Sequence, residues 1–187
     1  INGTLVGLVD GNYGNSTSTT GAFTMNTSYT NSGGWNNSHM RKTVLGSNST
    51  SATSPAANTL LAALPADLRA VMKPATKYSD NTGGGSDTAS YVTSTTDLLP
   101  LLSEFEYHGA RTYANSAEKN YQAQYDYYRA GNSKVHYRHN ATGTAAGVWC
   151  RSVNSSYGYT FCLVNAGGSA TIDTAYDSWA LAPCFFV

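Results

Sequence analysis

GVWCRS (147–152), YTFCLVNAGG (159–168) and ALAPCFFV (180–187) decide how this chain is read. Each is a short apolar run closed off by Gly, Ser, Asn or Pro, the punctuation of a buried strand. Two polar links carrying aromatic side chains, VNSSYG and SATIDTAYDSW, separate them. Packed strands joined by such links make a scaffold that presents a surface. The end of the chain is therefore expected to be both the core of the fold and the place where it meets a partner.

Bulk composition agrees with a surface built for contact. The chain has 187 residues, enough for one full core, and only 12% of them are charged, against roughly a quarter in an average soluble protein. The formal net charge is zero, which argues against nucleic acid or an anionic membrane as the main partner, since both reward a basic face. Polarity comes from Ser, Thr, Asn and Gly beside 14 Tyr, a mixture that makes adaptable contact surfaces. On composition alone, an extracellular or virion surface with few charges is the plainer reading and comes ahead of binding. No apolar run approaches the roughly 20 residues of a membrane helix, so no membrane insertion is expected. The opening at Ile1 without Met reads as a piece of something longer.

Upstream, residues 1–34 form a loop-rich lead-in to the same domain, with an entry strand over 1–9, and residues 35–187 form the core. Ser38 is expected to cap a short helix over 39–45, with Trp35, Met40 and Val44 as its apolar contacts. Ser54-Pro55 marks a second helix start, followed by Leu60, Leu61 and Leu64. Pro65 opens a third turn, with Leu68, Val71 and Met72 facing inward. Residues 77–90 read as a long loop, whose Gly83, Gly84 and Gly85 lack the features of a phosphate cradle. Residues 97–106 (DLLPLLSEFE) read as a central strand in which Pro100 forces an edge or a bulge. Residues 116–131 read as one helix with Tyr121, Tyr125 and Tyr128 on one face and Gly131 past its end.

The order of these pieces carries a resemblance. Trp35, Ser38-His39-Met40-Arg41, Leu64-Pro65, Ala75-Thr76-Lys77, Leu102-Ser103-Glu104-Phe105-Glu106, Trp149-Cys150-Arg151-Ser152 and Pro183-Cys184-Phe185 resemble the uncharacterised domain of surface and phage-tail proteins of Firmicutes, which is similar in turn to the C-type lectin-like fold. The likeness runs from residue 35 to the end. Two departures are visible: the Lys-x-Thr element is degraded, and Ala182 stands where an Arg is usual before the final Pro. The resemblance implies an α+β domain of C-type lectin-like type, with short helices on a mainly antiparallel sheet, paired N- and C-terminal strands and a long loop region that meets ligands. It implies a receptor-binding or adhesin tip on a virion tail or bacterial surface, recognising a host-surface glycan or protein, and leaves room for a homotrimer, for which no heptad or repeat speaks. Some relatives are diversified by retroelements near the C-terminus. The Asn, Ser, Tyr, Asp and Thr of 153–159 and 165–178 are residue types that such rewriting favours, and are also ordinary loop residues.

Chemistry is sparse by comparison. Arg41 and Arg151 sit among apolar residues, and a buried guanidinium needs a carboxylate or several carbonyls; Glu104 and Glu106 are the natural partners, as an internal clamp or as a carboxylate-binding site. His39, His108, His136 and His139 show no metal spacing and read as surface side chains, and the calcium-binding triplets of true C-type lectins are missing, so neither a metal nor a cofactor is expected. Cys150, Cys162 and Cys184 read as buried thiols, with a Cys150–Cys162 bridge as the alternative. No nucleophile motif is present; an enzyme on a formylglycine-generating scaffold would need Cys150 and Cys162 reactive, whereas strand burial raises thiol pKa. The expected ligand surface consists of Asn154, Tyr157, Tyr159, Asp173, Tyr176, Asp177 and Trp179, extended by Tyr127, Tyr128, Tyr137 and Arg138, on a sheet anchored by Trp149, Phe161, Leu163 and Phe185. A purely structural decoration, with several of these rings in the core, is the competing reading.

Overall fold

The computed structural model describes residues 23–138 and 141–187; the expected entry strand over 1–9 and His139 lie outside them. The described chain is a mixed α/β structure of short helices and three antiparallel sheets. Its centre is the sheet formed by β5 (Val148–Val153), β6 (Thr160–Val164) and β7 (Ala170–Thr174), in that order. Every residue of β5 and β6 is buried, which is why their sequences read as largely apolar runs, the polar Arg151, Ser152 and Thr160 being buried as well. The period of two is still there, dividing the sheet between two cores. Trp149, Val153, Phe161 and Leu163 join a cluster with Met25, Trp35, Met40, Leu45, Leu61 and Leu99. Val148, Cys150, Cys162 and Val164 face the other way, toward Leu102, Phe105, Tyr107 and Ala114.

Pairing of β5 with β6 skips from Trp149↔Leu163 to Val153↔Phe161. Residues 150–152 therefore leave the ladder, and the Arg151 amide donates instead to Leu102 O at 3.0 Å. A bulge of this kind re-aims the side chains it carries. Here they are Arg151 and Ser152, both fully buried.

Two of the three closing runs are strands; the third is not. Residues 180–187 form a strap: Ala180 bridges Gly147 and Trp149, Cys184 N donates to Pro100 O and Lys73 N to Phe186 O. Phe185, expected as an anchor, is 45% exposed. The link expected after Gly168 is in large part β7, paired with β6 from Val164↔Ala170 to Thr160↔Thr174; its β-branched Thr and Ile suit an edge strand.

Of the loop expected over 77–90, residues 77–80 belong to a strand and the loop runs from 81 to 88, followed by a 3-10 turn (Ala89–Tyr91). β1 (Ala75–Asp80) and β2 (Val92–Asp97) pair over six residues. Their inward positions are Lys77, Ser79, Thr95 and Asp97, all buried, so hydrophobic alternation never showed them. Residues 97–106 are not one strand. Leu98, Leu99, Leu101 and Leu102 run buried and unladdered, then Ser103 starts α4 (Glu104–His108) with a capping box, its Oγ accepting from Glu106 N while Glu106 Oε2 accepts from Ser103 N. Ser-x-x-Glu is a helix start, and it outranks the apolar run before it.

The remaining helices are short: α1 (Gly34–Asn37), α2 (Leu60–Ala63), α3 (Ala66–Val71) and α5 (Asp126–Arg129). Residues 40–44 make a π-turn closed by Leu45 N to Met40 O, with Ser38 Oγ accepting from Arg41 N, and the expected Trp35, Met40 and Val44 are fully buried. Thr59, not Ser54, caps α2, accepting from Ala62 N. After Pro65, Leu68 and Met72 pack inward while Val71 is 54% exposed. The expected helix over 116–131 is a 3-10 turn (Ser116–Asn120) capped by Asn115, then α5. Between them Tyr121 leaves the helical path to stack on Tyr78. A small hairpin, β3 (His136–Arg138) with β4 (Ala141–Ala146), flanks the second core.

Candidate functional site

Two places gather chemistry. The first is an aromatic surface where the turn after β5 meets residues 26–34 and 80–85. Asn31 organises it from beneath: its Nδ2 donates to Tyr157 O and Thr160 O, its Oδ1 accepts from Gly84 N, and its amide donates to Gly158 O. The chains meet main chain to main chain, and only glycine permits it. A Cβ on Gly83 would lie 2.1 Å from Asn31 O, and one on Gly34 2.0 Å from Asp80 O, both at positive φ. On this base Tyr159 stacks on Tyr29 with centroids 4.9 Å apart and sits 5.7 Å from Tyr157. Tyr29 is 61% exposed and Tyr157 50%. Tyr29 was missed in the sequence, because nothing local links residue 29 to residue 159.

The other expected residues separate. Asn154 is buried and makes an Asx turn, its Oδ1 accepting from Ser156 N. Asp173, Asp177 and Trp179 bond among themselves and their neighbours: Trp179 Nε1 to Asp173 Oδ2 at 2.9 Å and Thr174 Oγ1 to Asp177 Oδ2 at 2.6 Å. Burial, then the neighbouring Asp177, hold the Asp173 carboxyl above its ordinary range, against its hydrogen bonds from Thr174 and Trp179. Trp179 packs on the first core, pairs its backbone with Phe23 in both directions, and covers Gly147. It belongs to the fold, and Tyr176 beside it is half-buried. Trp179→Ala is accordingly expected to lower unfolding free energy by about 3 kcal/mol, read by urea denaturation. A loss below about 0.5 kcal/mol, the scale of ordinary surface changes, would return Trp179 to the ligand surface. Tyr127 and Tyr137 are exposed, whereas Tyr128 packs on Tyr107.

The second place is a buried charge cluster under an open cleft. Glu106 takes Lys77 Nζ at 2.9 Å on Oε1 and Arg151 on Oε2. Arg151 also donates to Leu101 O, Ser79 Oγ and Gln122 Oε1. The clamp foreseen for Arg151 and Glu106 is thus present. Arg41 instead pairs with Asp97 at 2.7 Å, which also accepts from Trp35 Nε1 and Ser47 Oγ. Glu104 holds the loop at 112–114 through its backbone N–H groups. Glu118 accepts from Asp80 N, Gln122 Nε2 and Ser152 Oγ. Although burial opposes its charge, Arg151 and then Lys77 hold the Glu106 carboxyl down at about 2. Burial pushes Glu118 up to about 7.

Burial drives the Cys150 and Cys162 thiols well above their ordinary range and Cys184 to about 11, and all three are free. His39, His108 and His136 are half-buried rather than surface side chains, and burial lowers all three. His136 meets Tyr107 edge-on at 5.6 Å. Among the described residues no cluster of three potential metal ligands occurs, and no helix is long and apolar enough to cross a membrane.

A mixed α/β domain with an internal polar clamp and an exposed tyrosine surface is what these elements define. The family model for the domain of unknown function DUF6273 matches residues 16–187, so the chain belongs to that family. No curated protein and no solved structure matches it.

Proposed function

We propose that this chain is a recognition domain of C-type lectin-like type, the tip of a phage tail or bacterial surface protein, whose Tyr29–Tyr159–Tyr157 surface binds a host-surface glycan or protein. The observation that carries this reading is the way the rings are held. Asn31 and the glycine loop at 83–85 fix the main chain of residues 157–160, and the rings stand on that support half exposed. Large rings lose little rotamer entropy when immobilised, and sugars or protein epitopes both stack on them. The antiparallel bridge between Phe23 and Trp179 supports the lectin-like reading, since it joins early and late parts of the described chain beside this surface. The buried, protonated thiols favour recognition over the enzyme alternative.

Tyr157→Ala is expected to weaken attachment to the host surface by about 2 kcal/mol, roughly thirtyfold, with thermal stability nearly unchanged. The measurement is binding of the labelled domain to host cells, alongside its melting curve. Unchanged attachment for Tyr157→Ala and Tyr29→Ala together would leave a structural decoration as the better reading.

A further inference from the structure

The cleft above the charge cluster is a second candidate, and it shares no residue with the tyrosine surface. Its volume is about 590 Å³, within the roughly 300–1,000 Å³ of small-molecule clefts. Its floor is Lys77, its side chain 10% exposed. One wall is Tyr121, stacked on Tyr78 at 4.3 Å and 8° and itself 52% exposed. Its lining includes Asp126 and Arg129, paired at 2.6 Å and open to solvent.

We infer that this cleft binds an acidic sugar unit, its carboxylate on Lys77 and its ring against Tyr121. Charge is the first argument. Lys77, Arg129 and Arg151 line the cleft against Glu106 and Asp126, leaving one positive charge in excess, and on the floor two cations share the single carboxylate of Glu106. Geometry is the second. Lys77 Nζ gives one N–H to Glu106 and one to Tyr125 Oη at 2.8 Å. An ammonium has three donors, and the third meets no acceptor among the described residues; the Phe186 ring lies 4.9 Å from the nitrogen. Arg151 is not available to a ligand, because its donors are spent on the protein. A tyrosine face stiffened by a stacked parallel ring also suits the C–H face of a pyranose, and the exposed Asp126–Arg129 pair offers an acceptor and donors to its hydroxyls. A plain aliphatic carboxylate would use the floor alone and gain little.

The test is a calorimetric and NMR titration of the chain with sodium glucuronate, with glucose as the neutral ring and acetate as the ringless anion. Glucuronate is expected to saturate, at least about tenfold tighter than either control, shifting the amide signals of residues 121–126. Tyr121→Ala and Lys77→Met should each weaken it about tenfold or more, while Tyr157→Ala leaves it unchanged. Since Lys77 is part of the clamp, its variant is read only if its melting curve stays cooperative; Tyr121 is exposed, and its variant alone decides otherwise. Absence of saturation, equal binding of glucose or of acetate, or shifts confined to residues 157–159 would each overturn the inference. The last result would place sugar on the tyrosine surface and leave the proposed function standing.

Discussion

Arg151→Met is expected to lower the unfolding free energy by about 3–5 kcal/mol, the cost of breaking one side of a buried ion pair. The guanidinium is fully buried and ties together four partners: Glu106 on α4, Ser79 on β1, Leu101 O and Gln122 Oε1. Its removal leaves the Glu106 carboxylate with Lys77 as its remaining cation and strands the carbonyl oxygens of Leu101 and Gln122. Methionine fills the volume, so the loss is electrostatic rather than a cavity. Adding Glu106→Gln should then cost less than it does in the parent protein, a coupling of about 0.5–3 kcal/mol. Urea denaturation followed by tryptophan fluorescence measures both, as Trp149 lies two residues from the site. A loss below about 1 kcal/mol for Arg151→Met would show that the clamp does not hold the fold.

The second large effect is on pH. Glu118 rises from 4.5 unfolded to about 7 folded, so the folded state holds its proton more tightly. Its contribution is complete below about pH 4.5 and is lost as pH rises through 7, about 3 kcal/mol in all. Glu106 goes the other way, from 4.5 to about 2. Its contribution is complete above about 4.5 and is lost as pH falls toward 2, again about 3 kcal/mol. Stability should therefore peak on the acid side of neutrality. The histidines His39, His108 and His136, whose folded pKa values are lowered, act in the opposite sense to Glu118 as pH falls below their ordinary 6.5. Comparison with Glu118→Gln removes them, because they are present in both proteins. The difference between the two stability curves should change by about 3 kcal/mol between pH 4.5 and 7.5. A flat difference would mean that Glu118 titrates normally.

Strands β5 and β6 could be read in the sequence because burial on both faces left them mostly apolar, with Arg151 and Ser152 as the exceptions at the bulge. The hairpin of β1 and β2 could not, since Lys77, Ser79 and Asp97 turn inward to partners far along the chain. Ser103-x-x-Glu106 was on view as a helix start, but the leucines before it pulled the reading toward a strand. The clamp was half legible: the need of Arg151 for Glu106 follows from burial, whereas Asp97 as the partner of Arg41 depends on a register that no local pattern reveals. At the tyrosine surface, Tyr157 and Tyr159 are adjacent in sequence and stay together. Tyr29 joins them only through the bonds Asn31 makes, and Trp179 leaves them because the first core needs its ring.

The pairing of Phe23 with Trp179, and of Asn31 with residues 157–160, also bears on how the protein is made. Trp149 adds to it, its indole donating to Phe23 O at 2.7 Å. Ribosomes extend chains at about 5–20 residues per second, so residues 23–35 wait on the order of ten seconds for their partners to emerge. Through that interval Met25, Trp35 and Met40 have no sheet to cover them. Contacts this distant in sequence also make closure of the first core slow, and the stretch from 23 to 45 is where a nascent chain most needs a chaperone's cover.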